Sequence, residues 1–448
     1  MDFNVYYSSE KYDPNSISSI FNYAKDLKGH TLADKCHSDI LEKSIAGKGN
    51  FGQYLEKFYF GFDPNNYPEP DFSYVDVELK SGAIVETSKG FRAKERLAIG
   101  IINFSNIINE SFESSHVWKK LKMPLLVFHI YKKDEDPRNY KVSNVNIVQY
   151  TNAEMAQIRD DWNLVKNKVA NGKAHEISSG DTLFLEAATT GGKNQKYVTQ
   201  PFSDEVAHPR RFALKPAFVT TLLKKESYLV EKEIVPPSVE KEIVPPQTFL
   251  INKLKEYKDI SLDEVMSILN VEKSTQKNFI SKVSKKLVEK ILLDEYSENI
   301  FESLELIHKT CRVFDGKLKE NISFPYMKYD ELVQHEWEES DFHQIIESKF
   351  MFVFWENKND EFYLKKITFW NAPPKEVLEA KRIWEKTKQL ILDKQADNLP
   401  KTKESYFVHV RPHGRDSNDK YPTHYGVDVK KQSFWIHKKY IEENILTK

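Results

Sequence analysis

The sequence predicts a mixed α/β protein made of two tandem domains of one design, and three observations predict it. Short β-branched and aromatic runs alternate with stretches whose apolar residues recur at helix spacing, the pattern of a sheet flanked by helices. A proline-rich break separates the halves. Apolar anchors of the first half return in the same order in the second, the mark of an internal repeat.

The 448 residues suffice for two domains of about 150 residues or more each. We expect residues 1–225 to form the first domain, 226–247 a linker and 248–448 the second. Ser16 to Leu27 and Ile40 to Ser44 have helix-period apolar positions, with Gly29 and Gly47 as stops. The glycines of Gly47-Lys48-Gly49-Asn50-Phe51-Gly52 resemble a kinase phosphate loop. No Val-Ala-x-Lys, His-Arg-Asp or Asp-Phe-Gly follows, so a turn into a helix carrying Glu56 is expected instead. A turn at Pro70-Asp71 leads into a strand through Glu78-Leu79-Lys80. Phe91 to Leu97 opens an amphipathic run ending near Asn103-Phe104. A basic helix end at Lys119, Lys120 and Lys122 feeds the buried strand Pro124 to Tyr131. A strand near Val145 to Tyr150, a helix around Asp160 to Val169 and a strand at Leu183 to Leu185 come next. A small, polar loop then runs from Ala187 through Thr189, Thr190 and Lys193 to Lys196, and Arg210 to Lys215 and a helix to Lys225 close the unit. Val230 to Pro237 recurs as Val239 to Pro246; paired prolines continue neither a helix nor an inner strand, so this is a semi-stiff linker.

Composition excludes several classes. No apolar run approaches the ~20 residues that span a bilayer, so no membrane is expected. The start, Met1-Asp2-Phe3-Asn4, lacks a basic segment and an apolar core, so no secretory signal is expected. Cys36 and Cys311 are too few for a disulfide framework or a zinc site, which fits the cytoplasm. With a net charge of -1, any surface for a polyanion must come from local basic clusters.

The candidate chemistry lies at Asp71, Glu78 and Lys80. Alternate side chains of a strand share a face, so Glu78 and Lys80 project together about 6.6 Å apart, with Asp71 at the strand mouth. Two carboxylates hold Mg²⁺ through hard oxygens, and an ammonium orients or deprotonates a water and offsets charge on a phosphate. Alone, an exposed Glu-x-Lys is a solvated ion-pair face. The repeat adds weight. Trp162 is matched by Trp384, Leu125 to Phe128 by Met351 to Phe354, and Arg211 to Lys215 by Ser433 to His437. Phe72 to Ser81 then falls on Phe301 to Thr310. Asp71 meets Ile300, Glu78 meets Ile307, Glu56 meets Ser284 and Lys120 meets Ile346, while Lys80 meets Lys309. The framework survives and the acids do not, so the first copy alone is expected to hold the ion.

Gly52…Glu56, Pro70-Asp71…Glu78-Leu79-Lys80, His116-Val117…Lys120-Leu121-Lys122, Asp161-Trp162 and Phe212-Ala213-Leu214-Lys215 together resemble the MutH endonucleases. His409-Val410-Arg411-Pro412-His413 and Lys431 to Ile436 resemble the C-terminal half of the Sau three-A type restriction endonucleases, two-domain MutH relatives that cleave GATC. The resemblance implies a PD-(D/E)xK fold in each half and Mg²⁺-dependent hydrolysis of double-stranded DNA in the first. It implies that Asp71, Glu78 and the Leu79 carbonyl are metal ligands, Lys80 the catalytic lysine, Glu56 an assisting acid and Lys120 a support for the scissile phosphate. DNA contacts are expected from Lys119, Lys122, Thr189, Thr190, Lys193, Arg210, Arg211, Lys215, Arg411, His413 and Arg415. MutH has Arg-Pro-Lys where this chain has Glu186-Ala187-Ala188, and a tyrosine at Ala213, so its response to methylated adenine does not transfer. The second copy keeps Arg411-Pro412 without the acids, which suggests an effector domain engaging a second GATC site. A protective methyltransferase in the host is implied as well. A repair nickase and a non-cleaving DNA-binding regulator are the alternatives.

Overall fold

The computed structural model describes residues 11–36, 50–64, 67–87, 90–190, 196–225, 243–296, 300–337, 340–416 and 418–447. The helix expected over Ile40 to Ser44, Lys193 with its glycines, and 226–242 of the expected linker lie outside the described residues. The chain forms two compact units, Met1–Ile177 with Thr182–Pro245 and Glu302–Leu304, and Ser178–Asp181 with Pro246–Phe301 and Glu305–Lys448. Among the described residues no helix is long and apolar enough to cross a membrane.

The first unit contains β1 (Glu78–Thr87), β2 (Gly90–Ala93), β3 (Leu97–Ile101), β4 (Pro124–Ile130), β5 (Val142–Ile147), β6 (Leu185–Thr189), β7 (Val198–Gln200), β8 (Ser203–Ala207) and β9 (Arg210–Leu214). A four-stranded sheet has the order β2-β1-β4-β5, a three-stranded sheet the order β3-β9-β6, and β7 pairs with β8. β1 and β4 run parallel, the other neighbours antiparallel. β4 is buried from Pro124 through His129, because a parallel strand covered on both faces needs a continuous apolar run rather than an alternating one.

Helix Ile17–Lys25 starts at Ser16, whose side chain accepts from Ser19 N, as an N-cap should. Helix Phe51–Tyr54 continues as a π-helical turn over Leu55–Phe60, and Gly61 ends it at φ 84°. Gly52 permits close approach: a Cβ there would stand 2.9 Å from Ser81 Oγ on β1.

Four expectations need correction. The amphipathic run from Phe91 is two strands, β2 and β3, not one element. The helix placed around Asp160 spans Asn152–Ala170, because Thr151 and Glu154 form a reciprocal capping box at its start. The segment after Asp71 is a series of turns closed by a Phe72–Val77 bridge, and the strand begins only at Glu78. The expected loop from Ala187 likewise begins later, since Ala187, Ala188 and Thr189 belong to β6.

The second unit repeats this plan with β10 (Ile307–Phe314), β11 (Lys317–Leu318), β12 (Ile322–Tyr326), β13 (Phe350–Lys358), β14 (Glu361–Trp370), β15 (Val408–Pro412), β16 (Lys420–Pro422), β17 (Asp428–Lys430) and β18 (Gln432–Ile436). The orders are β11-β10-β13-β14 and β12-β18-β15, with a β16-β17 hairpin, and β10 and β13 are the parallel pair. The ladders align the copies. Glu78 faces Pro124 and Lys80 faces Leu126; Ile307 faces Phe350 and Lys309 faces Phe352. Ser284 departs from its expected equivalence with Glu56, since its hydroxyl accepts from Trp355 Nε1 at 2.8 Å, beside a later part of the strand.

Asp161 joins the long helix to the three-stranded sheet. Its buried carboxylate accepts from the main-chain N–H of Leu183 (3.0 Å), Phe184 (2.7 Å) and Leu185 (2.9 Å), and from Gln157 Nε2 (3.0 Å). Asp161→Ala would strand those donors away from water, at a cost of roughly 3 kcal/mol or more. Urea denaturation should show that loss with an unchanged m-value; a change below about 0.5 kcal/mol, the range of a surface site, would contradict this role.

Candidate active site

β1 begins where the first unit concentrates charge. Glu78 is 0% exposed, and its Oε1 accepts from Lys80 Nζ at 2.5 Å and Lys120 Nζ at 2.9 Å. Lys80 stands two places along the same strand, so the pleat puts both side chains on one face. Lys120 arrives from helix His116–Leu121, capped by Ser115 and directly preceding β4, the parallel partner of β1. A carboxylate taken this far from water needs such partners, and two ammonium groups supply them.

Asp71 comes from the preceding turn. Its Oδ2 accepts from Leu79 N at 3.0 Å, while its own N–H donates to Glu78 Oε2 at 3.2 Å. These reciprocal bonds tie the turn to the strand and hold the two carboxyls together. Burial, and next the neighbouring Glu78 carboxylate, push the Asp71 carboxyl up to about 7, although Lys80 and Lys120 oppose that rise. Glu56, half-buried on the π-helical turn, is raised chiefly by burial and feels Lys80, Glu78 and Lys120. At Lys80 burial works against the charge, but Glu78 and Asp71 outweigh it and the ammonium is held above its ordinary range.

Glu56, Asp71, Glu78, Lys80 and Lys120 are thus brought together, as expected. Among the described residues, no three His, Cys, Asp or Glu side chains form a cage for a metal ion. The donor set is two adjoining carboxyls, and it fits Mg²⁺, which uses one or two carboxylates and completes its octahedron with water and phosphate oxygens. Two acids so close that one retains its proton to about neutrality also fit a dication between them.

The expected DNA contacts are more varied. Lys119 pairs with Glu69 at 2.8 Å and Lys122 with Asp76 at 2.6 Å, both near the surface. Thr189 and Arg211 are exposed, and Thr190 closes its loop through Pro209 O. Arg210 and Lys215 are corrected: both are buried, Arg210 Nη1 donates to Ala187 O at 2.7 Å, and Lys215 Nζ donates to Thr182 O at 2.8 Å. They brace β9 from within. In the second unit the exposed Arg411 lies over the Trp435 ring at 5.6 Å, and the His413 ring meets the same indole at 5.3 Å. Arg415 is exposed beside Asp419. The sequence reading missed the pair between Arg96 and the buried Glu186, 3.2 Å apart. No spacing rule links a turn residue to a distant strand.

A family model described as "DNA mismatch repair enzyme MutH" matches residues 60–161, which span the turn, β1, Lys120 and Asp161. The type II restriction enzyme Sau3AI of Staphylococcus aureus is 26% identical, over 95% of this chain and 98% of its own length. The DNA mismatch repair protein MutH of Vibrio parahaemolyticus is 27% identical over 50% of this chain and 100% of its own, and that of Shigella flexneri 26% over 48% and 95%. These matches support a MutH/Sau3AI-like restriction endonuclease family for this chain. The match to Sau3AI runs over nearly the whole of both chains, whereas a whole MutH covers about half of this one. The chain is an endonuclease of the kind these relatives represent, and its fold, with a MutH-like first unit and a second unit of the same plan, fits that class.

A proton held by Asp71 in the folded chain sets a pH dependence. Unfolded, this carboxyl ionises near 4; folded and metal-free, near 7. Its contribution to stability is therefore fully present below about pH 4 and is lost as pH rises through about 7. In excess chelator the thermal midpoint should fall between about pH 5 and 8, and Asp71→Asn should flatten that fall. Parallel profiles for the two proteins would contradict the assignment.

Proposed function

We propose that this chain is a type II restriction endonuclease that cuts both strands of double-stranded DNA at GATC by Mg²⁺-dependent phosphodiester hydrolysis, with the first unit cleaving and the second binding a further GATC site as a non-cleaving effector. One observation carries the division of labour. At the same place on the same parallel ladder, the first unit has Glu78 bound by Lys80 and Lys120, and the second has Ile307. The GATC target rests on the family resemblance of the motifs, and the restriction activity on the full-length match to a type II restriction enzyme. We place the enzyme in the cytoplasm, beside a methyltransferase that protects the host's own sites.

Asp71, Glu78 and the Leu79 carbonyl would hold Mg²⁺. A dication there supplies positive charge against the phosphate and acidity to the attacking water. Lys80, held in its charged form among carboxylates, donates to the incoming water oxygen and orients it. Glu78 and Asp71 chiefly keep Lys80 charged and Glu56 adds to them, while Lys120 both compensates Glu78 and offers an N–H to the scissile phosphate. Lys119 and Lys122 exchange Glu69 and Asp76 for backbone phosphates, so binding is salt-sensitive. Thr189, Thr190 and Arg211, gathered where β6 ends and β9 begins, would contact the DNA together with Lys193. Arg411, His413 and Arg415 give the second unit its DNA surface.

Plasmid digestion by the purified chain in Mg²⁺ should yield linear fragments ending at GATC without accessory proteins. Glu78→Ala should abolish cutting, a loss of at least ~10³-fold, while leaving DNA binding intact. Open circles alone would favour a mismatch-repair type nickase, and equal behaviour of Glu78→Ala and wild type a non-cleaving regulator. Cleavage of a two-site plasmid should outpace that of a one-site plasmid, and Arg411→Ala should remove the difference without lowering the one-site rate. Two-site kinetics untouched by that substitution would refute the effector role.

A further inference from the structure

The second unit has a cavity of about 440 Å³ where the first has its charges. Ile307, at Glu78's place on the ladder, forms one wall, and Ile345, just before the counterpart of Lys120, forms another. Phe324, Phe342, Trp384 and Phe434 supply aromatic surface, with Phe342 and Phe434 stacked at 4.0 Å. Such a volume with mostly apolar walls and a few polar groups is that of a small-molecule site. Of the isoleucines that stand in place of Asp71, Glu78 and Lys120, Ile307 is the one that lines this cavity.

The mouth fixes the sign of what enters. Lys309 sits 4.9 Å over the Phe324 wall, and among the lining residues Glu305, Glu331 and Asp341 stand against one ammonium, Lys328. That ammonium is already engaged by Glu331 at 2.7 Å. Three carboxylates and one lysine leave a net negative rim around an aromatic interior. A flat apolar ring suits the walls, where edge and face contacts to phenyl and indole groups add to burial. A cationic substituent suits the rim and the aromatic faces alike. A phosphate or carboxylate is repelled.

We propose that this cavity binds an aromatic amine, a planar apolar ring bearing a positively charged amino group, and rejects anionic analogues of the same ring. The site lies wholly within Glu305–Lys448 and does not depend on how the first unit treats DNA. Nucleotides are excluded as ligands by their phosphates, so the cavity is not a second reading site for DNA.

Three probes sharing one ring test this on the full chain: naphthylmethylamine, naphthylmethanol and naphthylacetate, measured by calorimetry. The amine should bind saturably with one site per chain, and the acetate at least about tenfold more weakly. Ile345→Trp, which fills the cavity, should abolish binding of the amine while the melting temperature stays within a few degrees. Asp341→Asn, a change at the rim, should narrow the gap between amine and acetate, and it decides the matter if Ile345→Trp fails to fold. The proposal falls if no probe saturates, if the acetate binds as well as the amine, or if neither substitution alters binding.

Discussion

Everything in the first unit that could do chemistry depends on one buried carboxylate. Glu78 lies inside the protein at the start of a parallel strand, and water cannot solvate it there. Lys80 and Lys120 both donate to the same oxygen and take the place of that water. Removing one partner of such a group leaves uncompensated charge in a low dielectric, which is more destabilising than never having had the pair. The requirement reaches outward. Helix His116–Leu121 must end where it does to deliver Lys120, and the Asp71 turn must close on Leu79 to leave Glu78 a second donor.

The second unit shows the same scaffold with that requirement withdrawn. Lys309 holds Lys80's position, yet among the described residues no carboxylate pairs with it. Its Nζ donates to Ser323 O at 2.6 Å and sits 4.9 Å over the Phe324 ring. Burial draws the ammonium down to about 8, whereas burial at Lys80 is overcome by Glu78 and Asp71. One residue type at one ladder position is pushed in opposite directions by its neighbours alone. The difference between the copies is thus electrostatic rather than architectural, because strand order and register are kept.

Much of this was legible in the residues. The apolar run of β4, the alternation placing Glu78 with Lys80, and the anchors aligning Leu125 with Met351 are short-range patterns, and the ladders reproduce them. What escaped notice was of two kinds. The Thr151-x-x-Glu154 box was a readable start signal, outweighed by the stronger apolar pattern later in the helix. β2 and β3 were not readable in that way: the four-residue β2 exists by pairing back on β1, and the five-residue β3 by a partner far along the chain, Leu97 with Leu214. Arg210 and Lys215 show the same limit in the site itself. Basic residues in a basic stretch suggest a surface, and only the tertiary structure reveals that their charges satisfy internal carbonyls.

The two three-stranded sheets carry the argument one step further. On β6 and β9 the facing pair is Glu186 with Ala213, and the buried acid turns to Arg96. On β15 and β18 the corresponding pair is His409 with Trp435, followed by Arg411 with Ser433. His409 is 0% exposed, has neither ring nitrogen bonded within the protein, and is drawn down to about 4 by burial, with His437 and Arg411 adding to that shift. A neutral imidazole behind an exposed Arg411 leaves the guanidinium as the cation of this face, propped by the Trp435 ring. The first unit has no arginine at the equivalent strand position, Ala188, so under the proposed reading its recognition must come from the loop beyond Thr189 and from Arg211. Under that reading the two tasks are separated by charge placement: buried carboxylate and paired lysines at the strand start in one copy, an aromatic-backed arginine on the sheet face in the other.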